Sequence, residues 1–178
     1  MKNAVKYTLF TFLAVVVILQ FIPVTIPENT DDLSNDLIQT QNVPTEVADI
    51  LRQSCYDCHS SNTVYPWYSH VAPVSWLVVR DVNKGREELN FSEWNSLSKR
   101  KQLKSLNNIA EEVESKEMPM KIYTVVHRDA ALDENDISLI TSWANTTSEQ
   151  MLNSDEDPSP EVETDEEVVE EIEDDTIQ

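Results

Sequence analysis

The chain has 178 residues, enough for one domain with appendages, and a formal net charge of −20 from 33 acidic against 13 basic residues. So little positive charge excludes a nucleic-acid-binding surface. A single glycine, Gly85, excludes glycine-rich phosphate loops and makes tight hairpins scarce.

At the N-terminus, Lys2 and Lys6 flank an uncharged, largely apolar run from Tyr7 to Val24. Its length is near the lower limit for crossing a bilayer. No A-x-A cleavage pattern follows in Ile22–Pro27, so residues 1–26 are expected to form an uncleaved signal anchor, a membrane helix. The lysines hold that end in the cytoplasm and place the remainder on the periplasmic, extracytoplasmic side of the cell membrane. Residues 27–42 read as a polar linker, because Asp31, Asp32, Asn35 and Asp36 interrupt any apolar period.

Residues 43–148 read as a mainly helical domain. Pro44 and Thr45 punctuate the start of a helix running to about Cys58, with Val47, Ile50 and Leu51 as its stripe. A second spans Val74 to about Leu89, with Val74, Leu77, Val78 and Val82 on one side. A third spans about Ser98 to Glu114, with Leu103, Leu106, Ala110 and Val113 at helical spacing. The last begins near Asp133, an N-cap with Asp136 three residues on, and turns Ile137, Ile140, Trp143 and Ala144 inward. No segment alternates as a half-buried strand would. Residues 149–178 hold 14 acidic and no basic residues, leaving −6 on the first 148. Such a segment repels itself and is expected to be a disordered tail, or a lure for a basic redox partner.

The chemistry is concentrated in Cys55-Tyr56-Asp57-Cys58-His59, a C-x-x-C-H sequence. Two thiols three residues apart on a helical turn point to one side and suit two thioether bonds to the vinyl groups of one haem. His59 then offers an imidazole to the iron as its proximal ligand. Zinc would want about four ligands, and His70 and His127 lack the paired spacing. A thioredoxin-like dithiol would want a βαβ frame, and a disulfide across this gap would close too small a loop to stabilise much. With no other cysteine present, the sequence predicts one covalently bound haem c.

The distal iron position has four candidates: Met118, Met120, His70 and His127. Met118 is preferred, with Met120 as the alternative. Met118-Pro119 falls some sixty residues after the attachment site, where small single-haem cytochromes present a methionine, and proline keeps the residue before it extended. Thioether sulfur would raise the potential relative to a second histidine. Trp67, Trp76, Trp94 and Trp143 are expected to pack around the porphyrin, and Arg80, Arg86 and Arg128 are candidates for its propionates.

The stretch from Ser54 to Asn145 resembles the haem-binding domain family of bacterial exported proteins, a branch of the cytochrome c-like group. The resemblance rests on Cys55-Tyr-Asp-Cys-His59-Ser60, Tyr65-Pro-Trp-Tyr68-Ser69, Ala72-Pro-Val-Ser-Trp76, Gly85-Arg86, Leu89-Asn-Phe-Ser92 with Trp94, Met118-Pro119, and Tyr123 with His127-Arg-Asp-Ala130. It implies a small cytochrome c-like fold with Cys55 and Cys58 as attachment points, His59 proximal and Met118 distal. It implies no substrate. The expected function is therefore electron transfer by a membrane-tethered c-type cytochrome rather than enzyme catalysis. A haem-based sensor or ligand-binding module is the alternative. A peroxidase, which would need His70 or His127 over the iron, ranks below both.

Overall fold

Apolar residues at helical spacing become helix wherever the sequence predicts it, and short helical turns fill much of what lies between. In a computed structural model, which describes residues 2–154, every regular element is helical. In chain order these are α1 (Lys2–Leu19), α2 (Leu37–Thr40), α3 (Thr45–Ser54), α4 (Tyr56–His59), α5 (Val74–Glu88), α6 (Lys99–Glu114), α7 (Lys121–Val126) and α8 (Glu134–Asn153). Three 3-10 turns, Trp67–His70, Phe91–Ser96 and Arg128–Ala130, complete the path.

Asp133 caps α8 as expected. Its side chain accepts from the amides of Asn135 and Asp136, and the Asp136 carboxylate accepts from the Asp133 amide. This reciprocal box satisfies donors that a helix start otherwise leaves unpaired. α8 packs along α6, with Leu106, Ala110, Trp143 and Ala144 in one buried cluster to which α3 adds Val47 and Leu51. Phe91 and Trp94, from the turn after α5, fill the remaining core. A buried Leu or Ile is worth roughly 1.5–3 kcal/mol, so this cluster supplies most of the domain's cohesion.

Several expectations change. The helix expected to run through Cys58 breaks at Cys55, whose φ of −124° and ψ of −39° separate α3 from α4. Residues 27–42 do not form a linker but belong to the folded domain. Asp36 and Leu37 are buried, and the Asp36 carboxylate caps α2 at the Ile38 and Gln39 amides. Tyr65 donates to the Pro27 carbonyl, and Asn29 exchanges two hydrogen bonds with the Thr63 backbone. The polar residues that break the apolar period are bonded to the domain instead of being solvated. At the other end α8 continues to Asn153, five residues past the expected boundary, with Met151 half-buried against the core. The rest of the acidic tail lies outside the described residues.

α1 forms where the anchor was expected, with Val5, Leu9, Phe10, Phe12, Leu13 and Ile18 exposed around it. Among the described residues, no helix is long and apolar enough to cross a membrane. From Tyr7 onward α1 is uncharged for about 20 Å of rise, against a hydrocarbon core of about 30 Å.

Candidate functional site

α3 leads into the C-x-x-C-H turn across the break at Cys55. The Cys55 amide bonds to Leu51, and the Cys58 and His59 amides both bond back to the Cys55 carbonyl. The two thiols and the imidazole therefore come from one tight turn, as the spacing predicts. They open onto a cleft of about 420 Å³, within the range of roughly 300–1,000 Å³ usual for ligand sites. Cys55, Cys58 and His59 line one side of it, with Gly85, Leu89 and Phe91 beside them. α6 contributes Ile109 and Val113, and the loop after it brings Met118, Pro119 and Met120 to the same cleft.

The cleft discriminates among the sulfur and imidazole candidates. Met118 and Met120 line it; His70 and His127 do not. His70 is exposed on its 3-10 turn. The His127 ring stacks on Tyr123 with centroids 4.5 Å apart, and its Nε2 is hydrogen-bonded to the Tyr68 hydroxyl. Met120 is shared with a second, more apolar cavity, whereas Met118 faces only the cleft of His59.

Around His59 the wall is tied together by hydrogen bonds and ring contacts. The Leu89 carbonyl accepts from Nδ1 at 3.0 Å. That bond places the imidazole proton on Nδ1 and leaves the Nε2 lone pair for a metal. Burial holds the imidazole below its ordinary pKa, so it stays neutral and able to donate that pair. Phe91 lies 6.0 Å from the His59 ring and stacks on Tyr56 at 5.1 Å, and Tyr56 donates to the buried Asp36 carboxylate. Burial pushes the thiols up, Cys55 to about 12 and Cys58 to about 11, so both are protonated at neutral pH.

Three features of this site escape sequence reasoning. The first is Gly85, which lets α5 lie directly on α4. A Cβ there would stand 2.5 Å from the Cys58 carbonyl oxygen and 2.9 Å from its carbon. The second is Arg86, whose guanidinium donates to the Ser60 and Glu28 carbonyls, to Asn29 Oδ1 and to Thr63 Oγ1. It is thus committed to the backbone behind the attachment turn and is no propionate partner. Arg80 pairs with Asp81, Arg128 does not line the cleft, and Lys84 is the cation that does. The third is Asp57, inside the C-x-x-C loop. It accepts from the Tyr123 hydroxyl at 2.8 Å and from the Val64 amide at 3.0 Å. Tyr123 sits in α7 just after the methionines, so this bond ties the methionine loop to the cysteine turn. The tryptophans depart from expectation: none lines the cleft, Trp94 and Trp143 pack in the core, and Trp67 is exposed.

The same stretch of chain carries a family signature. A family model described as a haem-binding domain matches residues 14–146, three-quarters of the chain. The chain belongs to the haem-binding domain family. No curated protein and no solved structure matches it. The haem-binding domain begins within α1 and takes in residues 27–42, in keeping with their packing against the fold. Its donor set suits the group: two thiols and a neutral imidazole on one side of a largely apolar cleft, and thioether sulfurs on the loop that completes it. The residues present fit a haem.

Proposed function

We propose that this haem-binding domain is a c-type cytochrome acting in electron transfer, held at the extracytoplasmic face of a membrane by α1. The observation that carries the reading is the joint lining of one cleft by Cys55, Cys58, His59 and Met118. Cys55 and Cys58 would hold one haem through thioether bonds to its vinyl groups, His59 would take the proximal position and Met118 the distal one. When bound, the haem would supply a one-electron couple, and the Met118 thioether as a ligand would favour its reduced form. Met118 is preferred over Met120 because Met120 also borders the second cavity.

The chain's own residues would hold His59 and Met118 in place for a haem. Leu89 fixes the His59 tautomer, Gly85 permits the close approach of α5, and the Asp57–Tyr123 bond holds the methionine loop. Rigid axial ligands suit an electron carrier, whose iron changes charge without exchanging ligands. A peroxidase would need an acid/base group over the iron, and neither His70 nor His127 lines the cleft. The exposed apolar surface of α1 supports membrane attachment, since water would not favour so large a patch.

The test is the optical spectrum of the exported, haem-loaded protein beside Met118→Ala. A low-spin wild type whose far-red Met–iron band is lost in the variant is the expected result. An unchanged variant spectrum removes Met118 from the iron, and a high-spin wild type favours the sensor or ligand-binding reading.

A further inference from the structure

The 22 residues from Cys58 to Val79 contain no Asp, Glu, Lys or Arg, in a chain where these are 26% of all residues. Most of this uncharged stretch is not core. Trp67 is 79% exposed, and Val64, Val71 and Val74 are exposed around it. α7 adds Ile122, Val125 and Val126, all exposed. Val64, Val74, Ile122 and Val126 border one largely apolar cavity of about 290 Å³, with Leu77 and Val78 of α5 also lining it and Asp57 and Asp81 on its wall. The α5 side carrying Val74, Leu77 and Val78 thus faces an opening in an apolar surface.

α1 is fastened to the edge of this surface. Gln20, the residue after the helix, donates through Nε2 to the Ala72 carbonyl and accepts from the Ala72 amide through Oε1, both at 3.0 Å. Ala72 lies between the exposed Val71 and Val74. The segment that follows Gln20 gives little slack, because Pro27, Glu28 and Asn29 are bonded to Tyr65, Arg86 and Thr63. An apolar helix and a face with few charges therefore share one edge and are fixed to each other.

We infer that the face formed by Trp67, Val64, Val71, Val74, Ile122 and Val125 rests on the lipid surface, as a continuation of the contact made by α1. The inference builds on the membrane reading of α1 given above. A bilayer of zwitterionic lipid suits a face with little charge of either sign, whereas a protein partner's rim would be expected to meet polar and charged groups. Tryptophan is enriched at the headgroup level, and the Gln20 clamp places the Trp67 turn near the point where α1 leaves the lipid. The haem-binding domain then lies in one orientation instead of swinging on a tether. The second cavity and the cleft share Cys58, Asp81, Met120 and Tyr123, so one edge of the haem site is turned toward the membrane.

The test uses the full haem-loaded chain in phosphatidylcholine vesicles, with co-sedimentation and hydroxyl-radical footprinting of its tryptophans on the same sample. Buried Trp94 is the internal reference at 1% exposure. The expected result is co-sedimentation together with loss of the excess oxidation that an exposed Trp67 would show over Trp94. Co-sedimentation with Trp67 oxidised several-fold faster than Trp94 overturns the docked face and leaves the α1 reading standing. Failure to sediment overturns both. Protection that disappears as the lipid-to-protein ratio is raised assigns the cover to a second copy of the chain and overturns the lipid assignment.

Discussion

Replacing the only glycine tests whether the attachment turn is held in place by α5. In Gly85→Ala the new methyl group would meet the Cys58 carbonyl oxygen at 2.5 Å, the Cys58 carbon at 2.9 Å and its Cβ at 3.1 Å. The two shortest contacts are to backbone, so no side-chain rotation relieves them. α5 and the turn must separate by about 0.5 Å merely to bring the 2.5 Å contact to 3.0 Å. The His59–Leu89 bond, now 3.0 Å, spans the same interface and would stretch toward about 3.5 Å, where it contributes little. Overpacking of this kind costs about 1–3 kcal/mol, while alanine regains about 0.8–1.0 kcal/mol of helix propensity over glycine. The net expectation is a loss of up to about 2 kcal/mol, or a fall in Tm of up to about 10 °C for a domain of this size. Thermal melts of haem-loaded wild type and variant, followed by circular dichroism, read the stability. With Met118 bound to iron as proposed, the Met–iron band reads the geometry. A variant as stable as wild type with an unchanged band would show that α5 does not set the position of the turn, and the close-approach argument would fail.

Tyr123→Phe keeps the ring against His127 but removes the bond to Asp57, a loss of about 1.5–3 kcal/mol for a hydrogen bond to a carboxylate. Its Met–iron band should weaken at a temperature where wild type is intact, and an identical band at all temperatures would separate α7 from the methionine loop. Arg86→Lys cannot reproduce the four-acceptor fork, so residues 27–29 and 60–63 should loosen together. Limited proteolysis should then cut near Glu28 well before it cuts wild type; equal cutting would mean the fork is dispensable. In the haem-free chain the thiols have pKa values raised on folding, so the folded state keeps protons that the unfolded state loses above about pH 9. The associated stability is complete below pH 9 and falls as pH rises through 11–12. The urea midpoint of wild type should therefore drop more between pH 8 and pH 10.5 than that of a Cys55→Ser, Cys58→Ser variant, and parallel curves would refute the linkage.

Local signals were strongest where a short stretch of chain makes the structure by itself. The apolar spacing of Leu106, Ala110 and Val113, and of Ile140, Trp143 and Ala144, located α6 and α8 because a helix repeats every 3.6 residues. Asp133 and Asp136 marked the α8 start because a cap is built within four residues. α7 was missed: six residues, Lys121–Val126, are too few to show a period. Residues 27–42 were misread because local polarity reports solvation only if no distant partner exists. Asn29, Asp36 and Pro27 find theirs in Thr63, Tyr56 and Tyr65, more than nineteen residues away.

By itself the sequence determined the helical class and pointed to a haem, with Cys55, Cys58 and His59 as the candidate residues to hold it and a shortlist for a distal ligand. Each follows from spacing along one chain segment or from the chemistry of a side chain. Tertiary structure alone decided that Met118 and Met120, and neither His70 nor His127, share a cleft with His59. It also decided that Gly85 is a contact rather than a hinge, that Arg86 belongs to the scaffold, and that the stripe of Val74, Leu77 and Val78 borders an open apolar face. These depend on which segments meet across the fold, and periodicity reports only that a residue has an apolar side, not what that side will touch.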